Sequence, residues 1–123
     1  MTKVLLVEDD KTMLSLLTTL LGIEGYEVLQ LDDDSEAGII RSICTQLPDL
    51  VMMDVNLTQA NGLDVLRQVR QQSGCQGVRI LMSSGMDLRL ESRDAGADGF
   101  IQKPYMPDDL IRQLKEVMEI RDR

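Results

Sequence analysis

The sequence feature that most constrains the fold is a run of four apolar residues, Leu50 to Met53, that ends in a single carboxylate, Asp54. A short continuous apolar run is typical of a strand that is buried on both faces of a parallel sheet. Because the run stops at Asp54, we expect this carboxylate at the carboxyl end of the strand. Ligands bind at that edge of open α/β sheets. The pattern therefore predicts a nucleophile, Asp54, at the edge of a sheet.

Four further segments have the pattern of strands, and each of the five predicted strands is followed by a helical pattern of apolar residues at spacings of three and four. The predicted strands cover residues 4–7, 26–31, 50–53, 78–82 and 98–102. Regular alternation of strands and helices predicts an α/β fold, a single doubly wound sheet of five parallel strands with helices on both faces. The second strand is the most polar, so we place it near the sheet edge. A chain of 123 residues is long enough for one domain.

The charge and composition of the chain exclude several functions. The net charge of −8 disfavours binding to nucleic acid and to anionic membranes. The chain contains no histidine, which excludes histidine nucleophiles, histidine bases and histidine metal ligands. It has neither a signal peptide nor a stretch long enough to cross a membrane, so we expect a cytoplasmic protein.

The two cysteines, Cys44 and Cys75, are too few and too far apart in sequence to indicate a zinc site or a redox pair. We interpret them as two unpaired thiols in a reducing compartment.

Side chains with chemical function follow four of the five predicted strands. In order along the chain they are Glu8 and Asp9, Asp54, Ser83 and Ser84, and Lys103. Because the strands are parallel, these side chains should share one edge, where three carboxylates would attract Mg²⁺. A metal ion and a lysine would neutralise a phosphoryl group during attack by a carboxylate. The product of that attack is an aspartyl phosphate.

The chain resembles the receiver domain of response regulators in two-component signalling, and the resemblance covers nearly all of it. The motifs that carry the resemblance are Val7-Glu8-Asp9-Asp10, Met53-Asp54, Asn61-Gly62-Leu63, Ser84-Gly85 and Lys103-Pro104. Each motif is weak alone, but five motifs in order at the family spacing are specific. The resemblance implies a flavodoxin-like (βα)5 fold with strand order 2-1-3-4-5.

The resemblance also implies a role for each residue that matches a motif. Asp54 accepts the phosphoryl group and Lys103 pairs with it, while Ser84 is the switch hydroxyl that bonds a phosphoryl oxygen. Ser83 remains an alternative to Ser84 as the switch. Phe100 occupies the position of the switch aromatic and is expected to turn inward on phosphorylation. The bond between Lys103 and Pro104 is expected to be cis.

The Mg²⁺ ligands that the resemblance implies come from the first and third strand ends. Asp9 and Asp54 bind the metal directly, Glu8 acts partly through water, and Asn56 supplies its backbone carbonyl.

The function that the resemblance implies is that of a phosphoacceptor in a phosphorelay. A histidine kinase or a histidine phosphotransfer protein donates the phosphoryl group. A downstream protein, which the sequence does not name, reads the face formed by the fourth helix, the fifth strand and the fifth helix. Residues 1–123 then form one receiver domain without an output domain. The chain is not expected to be an enzyme beyond its own phosphorylation and slow autodephosphorylation.

The chain departs from the family pattern at two places. Thr58 stands where the family commonly has proline, so we expect the loop after Asp54 to be more mobile. The interval from Ser84 to Lys103 is about one helical turn shorter than usual, so the fourth helix should be short or irregular.

Two alternative functions are compatible with the sequence. The segment from Asp54 to Thr58 resembles the Asp-x-Asp-x-Thr signature of haloacid-dehalogenase-type phosphatases, but Asn56 cannot act as the general acid there. A pseudo-receiver that serves only as an interaction module is the second alternative. It would be expected to lack an acid, the lysine or the hydroxyl, and none of them is missing.

Overall fold

The computed structural model describes residues 1–120, which form five strands that alternate with five helices. In chain order they are β1 (Lys3–Val7), α1 (Lys11–Ile23), β2 (Glu27–Leu29), α2 (Glu36–Gln46), β3 (Leu50–Asp54), α3 (Gly62–Gln71), β4 (Arg79–Ser84), α4 (Arg89–Ala95), β5 (Gly99–Gln102) and α5 (Pro107–Met118). All strand pairs are parallel and their order is β2-β1-β3-β4-β5. The predicted α/β architecture and strand order are confirmed. Among residues 1–120, no helix is both long enough and apolar enough to cross a membrane.

The sheet separates two apolar layers, as the continuous apolar runs predict. In β1, Leu5 and Val7 face the layer beneath α2 and α3, while Val4 and Leu6 face the layer beneath α1 and α5. Successive residues of a strand point to opposite faces, so a strand that is covered on both sides must be apolar throughout. Each fully buried apolar side chain contributes about 1.5–3 kcal/mol to the free energy of folding. The two layers therefore hold the strand ends in place.

The helix boundaries follow local chemistry. The Asp10 carboxylate accepts hydrogen bonds from the backbone N–H groups of Thr12 and Met13, at 2.9 and 3.1 Å, and caps α1. Helix α2 ends at Gln46, one residue earlier than its apolar pattern, because Leu47 adopts a left-handed conformation with φ of 47°. Strand β2 has only three residues because it lies at the sheet edge and pairs with β1 alone.

The fourth helix is short, as predicted. Helix α4 has seven residues and ends at Ala95, before Gly96, whose φ of 108° is readily adopted by glycine. The Arg70 guanidinium fixes this region by donating to the Gly96 carbonyl at 2.9 Å and to the Val78 carbonyl at 2.6 Å. It also pairs with the buried carboxylate of Asp98 at 3.1 Å. One side chain of α3 thereby joins the loops that flank β4.

The cysteines correct one sequence interpretation, because Cys44 and Cys75 form a disulfide rather than two unpaired thiols. Cys44 lies in α2 and Cys75 lies in the loop between α3 and β4. Their Cα atoms are 5.1 Å apart, within the usual range for a disulfide. The separation of 31 residues in sequence argued against a pair. However, α2 and α3 pack side by side, and this packing brings the two cysteines together.

We expect reduction of this disulfide to lower the free energy of unfolding by about 3 kcal/mol, because the cross-link restricts a loop of 31 residues in the unfolded chain. Urea denaturation with and without dithiothreitol measures the difference. A double variant, Cys44→Ala with Cys75→Ala, should unfold at the lower urea concentration and be insensitive to the reductant. Two titratable thiols in the unreduced protein, or identical denaturation curves, would contradict the expectation.

Candidate functional site

Strands β1, β3, β4 and β5 are neighbours in the sheet, and their carboxyl ends place the predicted side chains along one edge. Asp54 is the last residue of β3 and pairs in register with Ser83 of β4. Glu8 directly follows β1, and Lys103 directly follows β5. The topology thus brings together residues that are up to 95 positions apart in the sequence.

The Lys103 ammonium joins two carboxylates at the centre of this edge. Its Nζ lies 3.0 Å from Oε1 of Glu8 and 3.1 Å from Oδ2 of Asp54. The side chains are largely buried, with 23% of Lys103, 7% of Glu8 and 12% of Asp54 exposed. Charged groups at this depth are stable only when they are paired. Lys103 is therefore part of the site and not an ordinary surface lysine.

The electrostatics of the site follow from this burial. Burial raises the pKa of Asp54, the Lys103 ammonium opposes the rise, and the nearby Glu8 charge adds to it. Burial alone would lower the pKa of Lys103, but its hydrogen bonds to Glu8 and Asp54 outweigh that effect and raise it. Lys103 therefore stays protonated at neutral pH and supplies a fixed positive charge beside Asp54.

Asp9 has a different partner from Glu8. Its Oδ2 accepts a hydrogen bond from the backbone N–H of Thr58, in the loop between β3 and α3. The same loop is closed by the Gly62 N–H, which donates to the Val55 carbonyl at 2.7 Å. The Thr58 N–H, which proline would lack, ties this loop to Asp9. The greater mobility expected of the loop stays a prediction.

The oxygen atoms of the site are the possible ligands of the predicted Mg²⁺. In residues 1–120, no three histidine, cysteine, aspartate or glutamate side chains form a ready cluster for a metal ion. Glu8 and Asp54 share Lys103, whereas Asp9 is held by Thr58. Mg²⁺ binds oxygen, keeps several of its waters and needs only one or two carboxylates. The oxygen donors present fit that requirement, and Glu8 and Asp9 also line a groove of about 730 Å³ that can admit water.

The two serines at the end of β4 are buried and have different partners. The Ser83 hydroxyl donates to Oδ1 of Asp54 at 3.4 Å. The Ser84 hydroxyl accepts from the Met86 N–H at 3.1 Å and from Nδ2 of Asn56 at 3.4 Å. Asn56, a predicted metal ligand through its carbonyl, thus holds the predicted switch serine with its side chain. In this structure, Ser83 and not Ser84 contacts the candidate acceptor.

Phe100 is packed inside the protein. Only 6% of it is exposed, and the guanidinium carbon of Arg89 lies 5.5 Å from its ring centroid. The buried ring has the inward position that the sequence interpretation assigns to the phosphorylated form, and its switch role stays a prediction. The Lys103–Pro104 bond is cis, as expected.

Sequence reasoning missed Tyr105. Its hydroxyl is buried and has no hydrogen-bond partner within the described part of the chain. Burial raises the pKa of Tyr105 to about 12, against an opposing effect from Lys103 and with smaller contributions from Glu8 and Asp54. A tyrosine two residues after Lys103 was the only available signal, and a polar atom without a partner cannot be identified from a sequence.

Comparison with known proteins identifies the family of this chain. The model of the response regulator receiver domain matches residues 4–115, which is most of the chain. The transcriptional regulatory protein CpxR of Klebsiella pneumoniae is 33% identical over 119 residues, which cover 96% of this chain and 50% of that protein. The chain therefore belongs to the receiver domain family of two-component response regulators. It spans about half the length of the curated relatives it matches.

Solved structures have the same fold. The chemotaxis response regulator CheY4 of Vibrio cholerae aligns with a TM-score of 0.85 and 28% identity, covering 95% of this chain and 98% of that one. The receiver domain of a sensor histidine kinase of Pseudomonas aeruginosa aligns with a TM-score of 0.84 and 24% identity, over 97% of this chain and 98% of that one. That second structure has a magnesium ion coordinated in its active-site cleft.

We expect Asp54→Asn to raise the melting temperature at pH 7 without added metal. The folded-state pKa of Asp54 is raised above its ordinary value of 3.8, so the ionised group destabilises the fold above that pKa. The destabilisation by the ionised Asp54 carboxylate disappears as the pH falls through the raised pKa towards 3.8. The melting temperatures of the two proteins should then become equal. Thermal melts of both proteins between pH 4 and 7 test this.

Asp64→Asn is the matched control, because Asp64 is 60% exposed in its pair with Arg67. It should change the melting temperature little at any pH. A lower melting temperature for Asp54→Asn at pH 7 would show that pairing with Lys103 outweighs burial.

Proposed function

We propose that this receiver domain is the phosphoacceptor of a two-component phosphorelay, with Asp54 as the acceptor. The observation that carries the proposal is the Lys103 ammonium, which lies 3.1 Å from Asp54 and 3.0 Å from Glu8 at the carboxyl edge of a parallel sheet. Phosphoryl transfer depends mainly on positioning and on stabilisation of negative charge. A buried carboxylate beside a fixed cation supplies both requirements.

The transfer forms one bond and breaks one bond. An oxygen of the Asp54 carboxylate attacks phosphorus, and the phosphorus–nitrogen bond of a phosphohistidine breaks, with its electron pair passing to the imidazole of the donor. Because residues 1–123 contain no histidine, a histidine kinase or a histidine phosphotransfer protein supplies the phosphohistidine. Lys103 binds an oxygen of the transferred group. The chain is then a substrate of its donor that hydrolyses its own phosphate slowly, and not an enzyme with external turnover.

Mg²⁺ is the proposed cofactor. The oxygen donors near Asp54 support this choice, as does the magnesium ion in the cleft of the Pseudomonas relative. Asp9, Asp54 and the Asn56 carbonyl would hold the ion directly, with Glu8 contributing through water. When bound, the metal ion neutralises charge on the phosphoryl oxygens.

The proposed switch begins at Ser84. Its hydroxyl now bonds to Asn56 and to the Met86 N–H, and a phosphoryl group on Asp54 would compete for it. Movement of Ser84 would therefore release the start of the loop between β4 and α4. We propose that movement of this loop, together with an inward turn of Phe100, changes the α4–β5–α5 face.

The downstream partner is proposed to bind that face. Three exposed apolar side chains lie on or beside α4 and the start of α5, namely Met86, Leu90 and Met106. Apolar side chains that are exposed close together mark protein interaction sites. Because the net charge is −8, we assign no nucleic-acid contact or membrane contact to this chain. We propose that it acts in the cytoplasm, where the Cys44–Cys75 pair would be kept largely as thiols.

The alternative functions have less support. In a phosphatase of the haloacid-dehalogenase type, position 56 would need an acid, but Asn56 donates its amide to Ser84 and cannot transfer a proton. A pseudo-receiver would lack part of the site, whereas Glu8, Asp54 and Lys103 form a complete ion-paired group.

The test of the proposal is intact mass after incubation with acetyl phosphate and Mg²⁺. We expect one added phosphoryl group on the wild-type chain, and none on Asp54→Asn or in the presence of a chelator. Asp64→Asn is the matched control and should be phosphorylated like the wild type. A folded, unmodified wild-type chain would favour the pseudo-receiver, and continuous release of phosphate without an adduct would favour the phosphatase.

We also expect Thr58→Pro to bind Mg²⁺ about fivefold more tightly than the wild type. Proline lacks the N–H that holds Asp9. In this variant the Asp9 carboxylate therefore loses no hydrogen bond to the loop when it binds the metal. Isothermal titration of the unphosphorylated protein gives the dissociation constants. Thr58→Ala keeps the N–H and should match the wild type. Weaker binding by Thr58→Pro would mean that the Thr58 N–H helps to position Asp9 for the metal.

A further inference from the structure

Ser83 has a contact with Asp54 that neither the family assignment nor the proposed function uses. It is the next-to-last residue of β4, it pairs in register with Asp54, and only 2% of it is exposed. Its hydroxyl donates to Oδ1 of Asp54 at 3.4 Å. The neighbouring Ser84 is bonded to Asn56 and Met86 instead. The two adjacent serines therefore have different tasks in this structure.

The two oxygens of the Asp54 carboxylate are bound by different groups. Oδ2 is bound by the Lys103 ammonium at 3.1 Å, and Oδ1 is bound by the Ser83 hydroxyl. The last side-chain torsion of an aspartate is otherwise broad and nearly two-fold. With a partner at each oxygen, the carboxylate cannot rotate without losing a hydrogen bond. The pair of partners therefore fixes the plane of the carboxylate.

We propose that Ser83 is a positioning residue for the phosphoacceptor, which fixes the carboxylate plane of Asp54 so that one defined oxygen faces the incoming phosphorus. This role rests on the proposed function. The bond that forms joins that oxygen to phosphorus, the bond that breaks joins phosphorus to its leaving group, and the proton of Ser83 stays on its oxygen. Correct orientation supplies much of the rate of such transfers.

The chemistry of the hydroxyl suits this task. A hydrogen bond from a neutral hydroxyl is weaker than one from an ammonium, so it orients the carboxylate while leaving most of its charge in place. Lys103 already supplies the positive charge. Ser83 is only 2% exposed and lies in the sheet between Asp54 of β3 and Ile101 of β5, so the backbone register fixes its position beside the carboxylate.

The test compares two variants with a matched control. Ser83→Ala removes the donor, and Ser83→Cys keeps nearly the same shape with a much weaker donor, so it carries the test if the alanine variant does not fold. The control is Ser92→Ala. Ser92 is fully buried in α4, and its hydroxyl has no hydrogen-bond partner in the part of the chain that the structure describes.

Two measurements are needed. We expect the rate of phosphorylation by acetyl phosphate at saturating Mg²⁺ to fall about fivefold to tenfold in both Ser83 variants, the size expected for one neutral hydrogen bond. The ¹³C resonance of the Asp54 carboxyl carbon, recorded without metal, should move in the same variants. A merely structural hydroxyl would not change this resonance. Ser92→Ala should leave both the rate and the resonance unchanged.

The outcomes separate the two proposals. Absence of an adduct on the wild-type chain overturns the proposed function and with it the role of Ser83. If the wild type is phosphorylated, the proposed role of Ser83 alone is overturned when the phosphorylation rate, the ¹³C resonance, or both stay unchanged in the Ser83 variants. An equal loss of rate in Ser92→Ala also overturns it, because the effect would then be a general one of buried hydroxyls.

Discussion

The interaction on which the site depends is the ammonium of Lys103 shared between Glu8 and Asp54. Both carboxylates are largely removed from water, and one cation pairs with both at the end of an apolar sheet. Burial raises the pKa of Asp54 although the ammonium opposes the rise. Hydrogen bonds to the two carboxylates raise the pKa of Lys103, so the lysine stays protonated beside the candidate acceptor.

The sheet supplies the geometry that this interaction requires. Three strands that are far apart in sequence must end at one level, and parallel pairing with two apolar layers holds them there. The loops at that edge are fixed by backbone groups, such as the Thr58 N–H on Asp9 and the Met86 N–H on Ser84. Side chains that belong to the site therefore also restrain the loops around it.

Much of the fold was predictable because its signals are local. Apolar runs that end in polar residues located β1, β3, β4 and β5, and the Asp10 carboxylate caps the start of α1. The limits of β2 were less predictable, since an edge strand is defined by pairing on one side only. The disulfide was read wrongly, because the packing of α2 on α3, and not the spacing of Cys44 and Cys75, decides that they meet.

By itself the sequence determined the alternation of strands and helices, the presence of an acid, a hydroxyl and a lysine at the strand ends, and the shortness of α4. These follow from periodicity and composition, which act over a few residues. Only the tertiary structure decided which oxygen meets which donor. It assigned Ser83 rather than Ser84 to Asp54, placed the Thr58 N–H on Asp9, and buried Phe100 beneath Arg89. Such choices depend on differences of an ångström or less between groups far apart in the chain, and a sequence pattern carries no distances.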